Sequence, residues 1–274
     1  MRKAVKAYKN ADFLNSPDAR TIRILAEYSE PERRFKRHNI KDTIVFFGSS
    51  RTLTPEKAQE NLDRIKKQVK AEKRVAKELS SELRRAETSL KTSKYYNDAV
   101  TLASMITRWS KELSSQKKRK GRRFIICTGG GPGIMEAANR GASEVEGLSI
   151  GMNISLPFEQ VQNPYSSKEL TFDFHYFFIR KFWFVYLAKA IVIFPGGFGT
   201  IDEMMELLTL IQTRKTKKIM PVVIYGTDYW KNIINLEGLA EWGMISPEDL
   251  DLFHFSDTPE DAFEYLKTEL EKLL

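Results

Sequence analysis

The sequence predicts an α/β fold, a doubly wound parallel sheet with an inserted long helical segment, and three observations predict it. Short apolar runs at residues 43–47, 124–127, 149–154, 190–194 and 220–225 alternate with helical patterns, the order that βαβ units impose. Three of these runs end in small-residue turns: Gly48-Ser49-Ser50-Arg51, Thr128-Gly129-Gly130-Gly131-Pro132-Gly133 and Pro195-Gly196-Gly197-Phe198-Gly199-Thr200. In a parallel sheet such turns gather along one edge, so the three are expected to converge on one crevice. Between the first and second runs, residues 56–120 contain neither glycine nor proline, which favours long helices there.

Residues 1–41 carry 11 Lys and Arg against 5 Asp and Glu. They are read as a basic N-terminal arm with a short helix, Thr21 to Tyr28, packed on the body. The strand at 43–47 follows, and its turn at Gly48, Ser49 and Arg51 supplies one cation. Such a turn is the usual first ligand-contacting loop of an open α/β sheet, or else a plain surface turn.

In the 56–93 insertion, Leu62, Ile65, Val69, Ala76, Leu79, Leu83, Ala86 and Leu90 hold a and d positions of one continuous heptad frame, interrupted at Glu72. This predicts a coiled-coil-like helix of about 35 residues, roughly 50 Å long. Its seam requires a partner, either the same segment of another subunit or a helix of its own chain. The insertion is expected to serve assembly or packing and to stand apart from the site. A second helix, near 95–113, has a broader apolar stripe through Val100, Leu102, Ala103, Met105, Ile106 and Trp109, and should pack on the sheet. The basic run at 117–123 reads as a solvated loop. The aromatic stretch 172–185 reads as core, but it encloses Arg180-Lys181, whose charges need partners in such surroundings.

The chain of 274 residues has a net charge of +8 that is unevenly spread. Residues 56–123 hold 20 basic against 9 acidic side chains, whereas residues 124–274 hold 12 against 21. The half with the main glycine turns is therefore acidic, which argues against a nucleic-acid-binding face there. One cysteine, Cys127, lies in a strand pattern; it excludes a disulfide framework or zinc cluster and suits a reducing compartment. No apolar run is long enough for a signal peptide or membrane span, so a cytoplasmic location is expected.

The stretch from Ala190 to Glu203 organises the rest. A buried strand enters a turn with three glycines in four positions, and the turn opens a helix. Free N–H groups and the helix dipole make that junction an anion site, and glycines permit close approach. Thr200 and Glu203 have capping-box spacing, so a turn that merely caps a helix is the alternative. Neither glycine cluster fits a Walker loop or G-x-G-x-x-G.

Thr128 to Ala137, Arg180-Lys181 and Pro195-Gly196-Gly197-Phe198-Gly199-Thr200-Ile201-Asp202-Glu203 together resemble the LONELY GUY (LOG) family, many of whose members were once labelled possible lysine decarboxylase. The resemblance covers roughly residues 43–55 and 94–240. It is nearer the longer bacterial branch, because Phe177 and Phe178 stand where plant members carry a Met-His pair. It implies a single Rossmann-like domain over 1–274 and a phosphoribohydrolase that cleaves the N-glycosidic bond of a nucleoside 5′-monophosphate, such as AMP or a cytokinin precursor. Arg180 and Glu203 would be catalytic. Gly196, Gly197, Gly199 and Thr200 would hold the 5′-phosphate. Gly130, Gly131 and Gly133, with Gly48, Ser49, Arg51 and Lys181, would complete substrate binding. No metal or cofactor is implied, and the partner is a second copy of the chain, in a dimer or larger homo-oligomer. Two other functions remain open: a nucleotide- or phosphorylated-cofactor-binding protein without turnover, and a single-stranded nucleic-acid binder. Lysine decarboxylation is rejected, since no lysine with a pyridinium partner for pyridoxal phosphate is identifiable.

Overall fold

Alternation along each strand divides the interior into two layers. Val45, Phe47, Ile191 and Ile193 face one layer, and Ile44, Phe46, Ala190 and Val192 face the other. In the computed structural model, which describes residues 4–71, 76–115, 121–156, 162–216 and 218–274, these strands belong to a seven-stranded, all-parallel sheet. The strands are β1 (Thr43–Phe47), β2 (Ile125–Thr128), β3 (Ser149–Ile154), β4 (Thr171–Phe174), β5 (Ala188–Ile193), β6 (Val222–Tyr225) and β7 (His254–Ser256). Their order is β4-β3-β2-β1-β5-β6-β7. The winding reverses between β1 and β5, which places the topological switch point beside those two strands.

The helices are α1 (Ala11–Asn15), α2 (Arg20–Arg37), α3 (Pro55–Ala71), α4 (Lys77–Thr92), α5 (Lys94–Ser115), α6 (Ile134–Glu144), α7 (Phe177–Leu187), α8 (Phe198–Gln212), α9 (Thr227–Ile233), α10 (Leu236–Glu241) and α11 (Pro259–Glu271). Side chains of α5, α6 and α11 cover one face of the sheet, and those of α2, α7 and α8 the other. The start of the sheet is tied by Asp42, which is buried. Its carboxylate accepts from the Phe124 N–H at 2.6 Å and pairs with Arg123 at 2.7 Å. Burial pushes the Cys127 thiol up, as befits a core cysteine. No helix among the described residues is long and apolar enough to cross a membrane.

Two expectations change. The basic arm contains an 18-residue helix, α2, rather than a short one. Phe35 of α2 is buried, the Glu27 carboxylate accepts the His175 and Tyr176 N–H groups at 2.8 and 3.2 Å, and the Trp183 indole N–H donates to the Glu27 carbonyl at 3.2 Å. The helix thereby caps the β4–α7 junction.

The heptad seam does not run along one helix. It is split between α3 and α4, which pack on each other through Leu62, Ile65 and Ala86, with Val69, Leu79, Leu83 and Leu90 around them. Ala76, at the start of α4, has an extended backbone, φ −67° and ψ 153°. The seam is therefore satisfied within the insertion, one half against the other. Glu72, residues 116–120 of the basic run and residues 157–161 of the following loop lie outside the described residues. The rest of the basic run is occupied: Arg123 pairs with Asp42, and Arg122 donates to the His38 carbonyl at 2.6 Å.

Candidate active site

The turns after β1 and β5 flank the switch point and face one cleft of about 1030 Å³. Gly48, Ser49 and Arg51 line it from β1, and Gly196, Gly197, Gly199 and Thr200 line it from β5. The two turns are joined, since the Ser49 N–H donates to the Pro195 carbonyl at 2.9 Å. Helix α8 begins at Phe198, so the N–H groups of its first turn have no partner within the helix. A Cβ on Gly197 or Gly199 would meet nothing within 4 Å among the described residues, so the backbone there is open to the cleft. Gly196 is glycine for another reason: a Cβ would stand 2.1 Å from the Thr200 hydroxyl. Beside it, the Tyr229 hydroxyl donates to the Gly196 carbonyl at 2.7 Å.

Arg180 comes from α7 and Glu203 from α8, and both line this cleft. Their nearest side-chain atoms, Nη2 and Oε1, are 3.4 Å apart, and each side chain is largely buried. Burial pushes the Glu203 carboxyl up to about 7; the Arg180 charge opposes that shift, and nearby Asp202 adds to it. Burial also lowers Arg180 from its ordinary value. The Arg180 guanidinium lies 5.1 Å from the Phe177 ring and 5.5 Å from the Phe184 ring, and among the described residues its buried Nε has no partner. A carboxyl that titrates near neutrality beside a buried cation can hold or release a proton at the pH where an enzyme works.

The remaining expected site residues lie elsewhere. Gly130, Gly131 and Gly133 are buried and do not line the cleft; Gly129 and Met135 represent that turn. The Gly130 and Gly131 carbonyls accept from Asn163, at 2.9 and 3.0 Å. Gly133 has φ +71°, and a Cβ would stand 2.3 Å from the Ser49 carbonyl oxygen. This second glycine turn supports the first one from behind. Lys181 points away from the cleft, to Asp202 at 2.7 Å and Glu206 at 2.8 Å. It braces α7 against α8 and so holds Arg180 opposite Glu203.

The largest departure is α4. The insertion expected to stand apart presents Arg84, Arg85 and four hydroxyl residues to the cleft. Their helical spacing was visible in the sequence, but a polar stripe on a charged helix looks the same whether it faces solvent or a ligand.

Residues 135–266 match the family model described as possible lysine decarboxylase. Over 124 residues the chain is 32% identical to the pyrimidine/purine nucleotide 5′-monophosphate nucleosidase of Escherichia coli strain K12, and equally to the proteins of that name from strains O6:H1 and O157:H7. The match takes in 40% of this chain and spans only 27% of those relatives' length. Among solved structures, the molybdenum cofactor binding protein of Rippkaea orientalis is similar over 64% of this chain and 88% of that one, at 20% identity and a TM-score of 0.44.

Proposed function

Through residues 135–266 the chain belongs to the possible lysine decarboxylase, or LOG, family, and from that premise we propose that it hydrolyses the N-glycosidic bond of a nucleoside 5′-monophosphate. The observation that carries this reading is the Arg180–Glu203 pair, 3.4 Å apart in the cleft that also holds the open α8 N-terminus.

The 5′-phosphate sits on the Gly196–Thr200 turn, where unpaired N–H groups and the helix dipole meet it. The sugar C1′ then lies toward Glu203. As the C1′–N bond breaks, its electron pair leaves with the base and C1′ becomes oxocarbenium-like; the Glu203 carboxylate stabilises that charge. Water supplies the new C1′–O bond. Glu203, with its carboxyl near 7, takes the water's proton, and the departing base gains a proton in turn. The products are free base and ribose 5-phosphate. Arg180 keeps Glu203 oriented and reaches the ribose or phosphate. Phe198, 94% exposed at the cleft's lip, offers a face on which a base stacks.

The chain also works as a homo-oligomer in this reading. Phe178, Phe182 and Tyr186 form an exposed stripe on α7, next to the exposed Tyr28 of α2, and an apolar patch of that kind is where a second copy docks.

The test is to incubate the protein with AMP and with adenosine and to follow released adenine by chromatography. Release from AMP alone is expected. Equal release from adenosine overturns the phosphate site, and tight AMP binding without release replaces the hydrolase with a nucleotide-binding protein.

A further inference from the structure

The reaction above makes no use of the polar face of α4. Ser81, Arg84, Arg85, Thr88, Ser89 and Thr92 all line the cleft, and their spacing puts them on one face of the helix. Leu79, Leu83, Ala86 and Leu90 pack on α3 from the other side, so the hydrophobic seam fixes which way the polar face points. The insertion is the roof of the cleft.

The charge on this roof is one-sided. Helix α4 carries Glu78, Glu82 and Glu87, yet none of them lines the cavity. Among the described residues, neither Arg84 nor Arg85 stands in an ion pair. Among the described residues of the lining, Arg51, Arg84, Arg85 and Arg180 face a single carboxylate, Glu203. Glu203 answers Arg180 at 3.4 Å. Three cations and the α8 N-terminus are left for the ligand. A phosphate monoester brings about two negative charges at neutral pH, fewer than the site offers, whereas a di- or triphosphate chain matches it. The volume of about 1030 Å³ lies at the upper end for small-molecule sites, roughly 300–1,000 Å³, and has room for the longer chain.

We propose that Arg84 and Arg85 form an anion subsite on the roof of the cleft that takes the additional phosphates of a nucleoside 5′-di- or triphosphate. Such nucleotides then compete with the monophosphate for the cleft. The inference rests on the nucleotide reading of the site, and its test is binding rather than turnover.

Adenosine, AMP, ADP and ATP are titrated into the full chain by calorimetry at low salt, and again into Arg84→Ala/Arg85→Ala and Arg84→Lys/Arg85→Lys. Affinity should rise along the series, by about three- to tenfold from AMP to ATP. The rise should vanish in the alanine variant at an unchanged melting temperature and return in part with lysine, which keeps the charge but not the bidentate fork. If alanine lowers the melting temperature, glutamine at both positions replaces it. A wild-type series that is flat from AMP to ATP overturns the subsite, as does a rise that survives the loss of both arginines. A rising series without any AMP hydrolysis upholds the subsite and overturns the hydrolase; AMP hydrolysis with a flat series does the reverse.

Discussion

The Tyr229 hydroxyl donates to the Gly196 carbonyl at 2.7 Å, so a side chain from α9 holds the turn that opens α8. Without it the turn keeps its glycines but loses its outer support. Tyr229→Phe should cost about 1 kcal/mol, read as a fall of about 2 °C in melting temperature. AMP hydrolysis should drop about three- to fivefold in kcat/KM, mostly through KM, because the phosphate cradle loosens while Arg180 and Glu203 are untouched. A change in kcat alone would contradict this.

The role proposed for Glu203 makes the rate depend on pH. Its carboxyl is raised from 4.5 to about 7, so kcat/KM for AMP should climb with pH to a plateau, with an apparent midpoint near 7. Glu203→Gln should lose more than about 100-fold in rate while remaining folded. The same shift affects stability. A carboxyl raised on folding favours the folded state most at low pH, below about 4.5, and that advantage is lost as pH rises through 7. Relative to Glu203→Gln, the wild type should therefore lose about 3 kcal/mol of stability between pH 4.5 and 8. Denaturant titrations of both proteins across that range check the sign.

Two glycines make opposite predictions. At Gly133, φ is +71° and a Cβ would strike the Ser49 carbonyl, so Gly133→Ala should destabilise by about 2–4 kcal/mol. At Gly197, φ is −91° and a Cβ meets nothing, so Gly197→Ala should melt within about 1 °C of wild type. Its KM for AMP should nonetheless rise, since the methyl group stands where the phosphate approaches. Thermal melts and initial rates on the two variants separate support from contact.

The α7 stripe tests assembly. Phe178→Asp/Tyr186→Asp places two charges on an exposed aromatic face and should reduce the particle mass seen by light scattering to that of one chain. An unchanged mass would move the interface elsewhere.

Much of the architecture was legible because burial repeats in the sequence. β1 and β3 fall where their apolar runs lie, and the glycine turns mark the strand ends that meet at the cleft. β4 escaped notice because Phe172 and Phe174 run without a break in composition into the aromatic α7. β7, three residues long, has no pattern to read. In the insertion, an a/d repeat reads the same in one long helix as in two that fold back on each other, and no glycine or proline marks the reversal. The site was half legible for a related reason. Glycine leaves the backbone open at Gly197 and takes a positive φ at Gly130 and Gly133, and the letter is the same. Arg180 and Lys181 are neighbours whose side chains, on one turn of helix, point to different partners. For α4, the one available signal was a stripe of arginines and hydroxyls from Ser81 to Thr92.

The α3–α4 hairpin rests on a core of its own whose buried members, among the described residues, are Leu62, Ile65 and Ala86, separate from the two large layers that flank the sheet. Cooperative units open in order of what they bury. The cover of the cleft is thus the piece that can detach while β1, β5 and both glycine turns stay in place. Backbone amides of α3 and α4 should exchange with solvent well before those of the central strands. Opening of the hairpin then uncovers the cleft while Arg180 and Glu203 keep their places on α7 and α8.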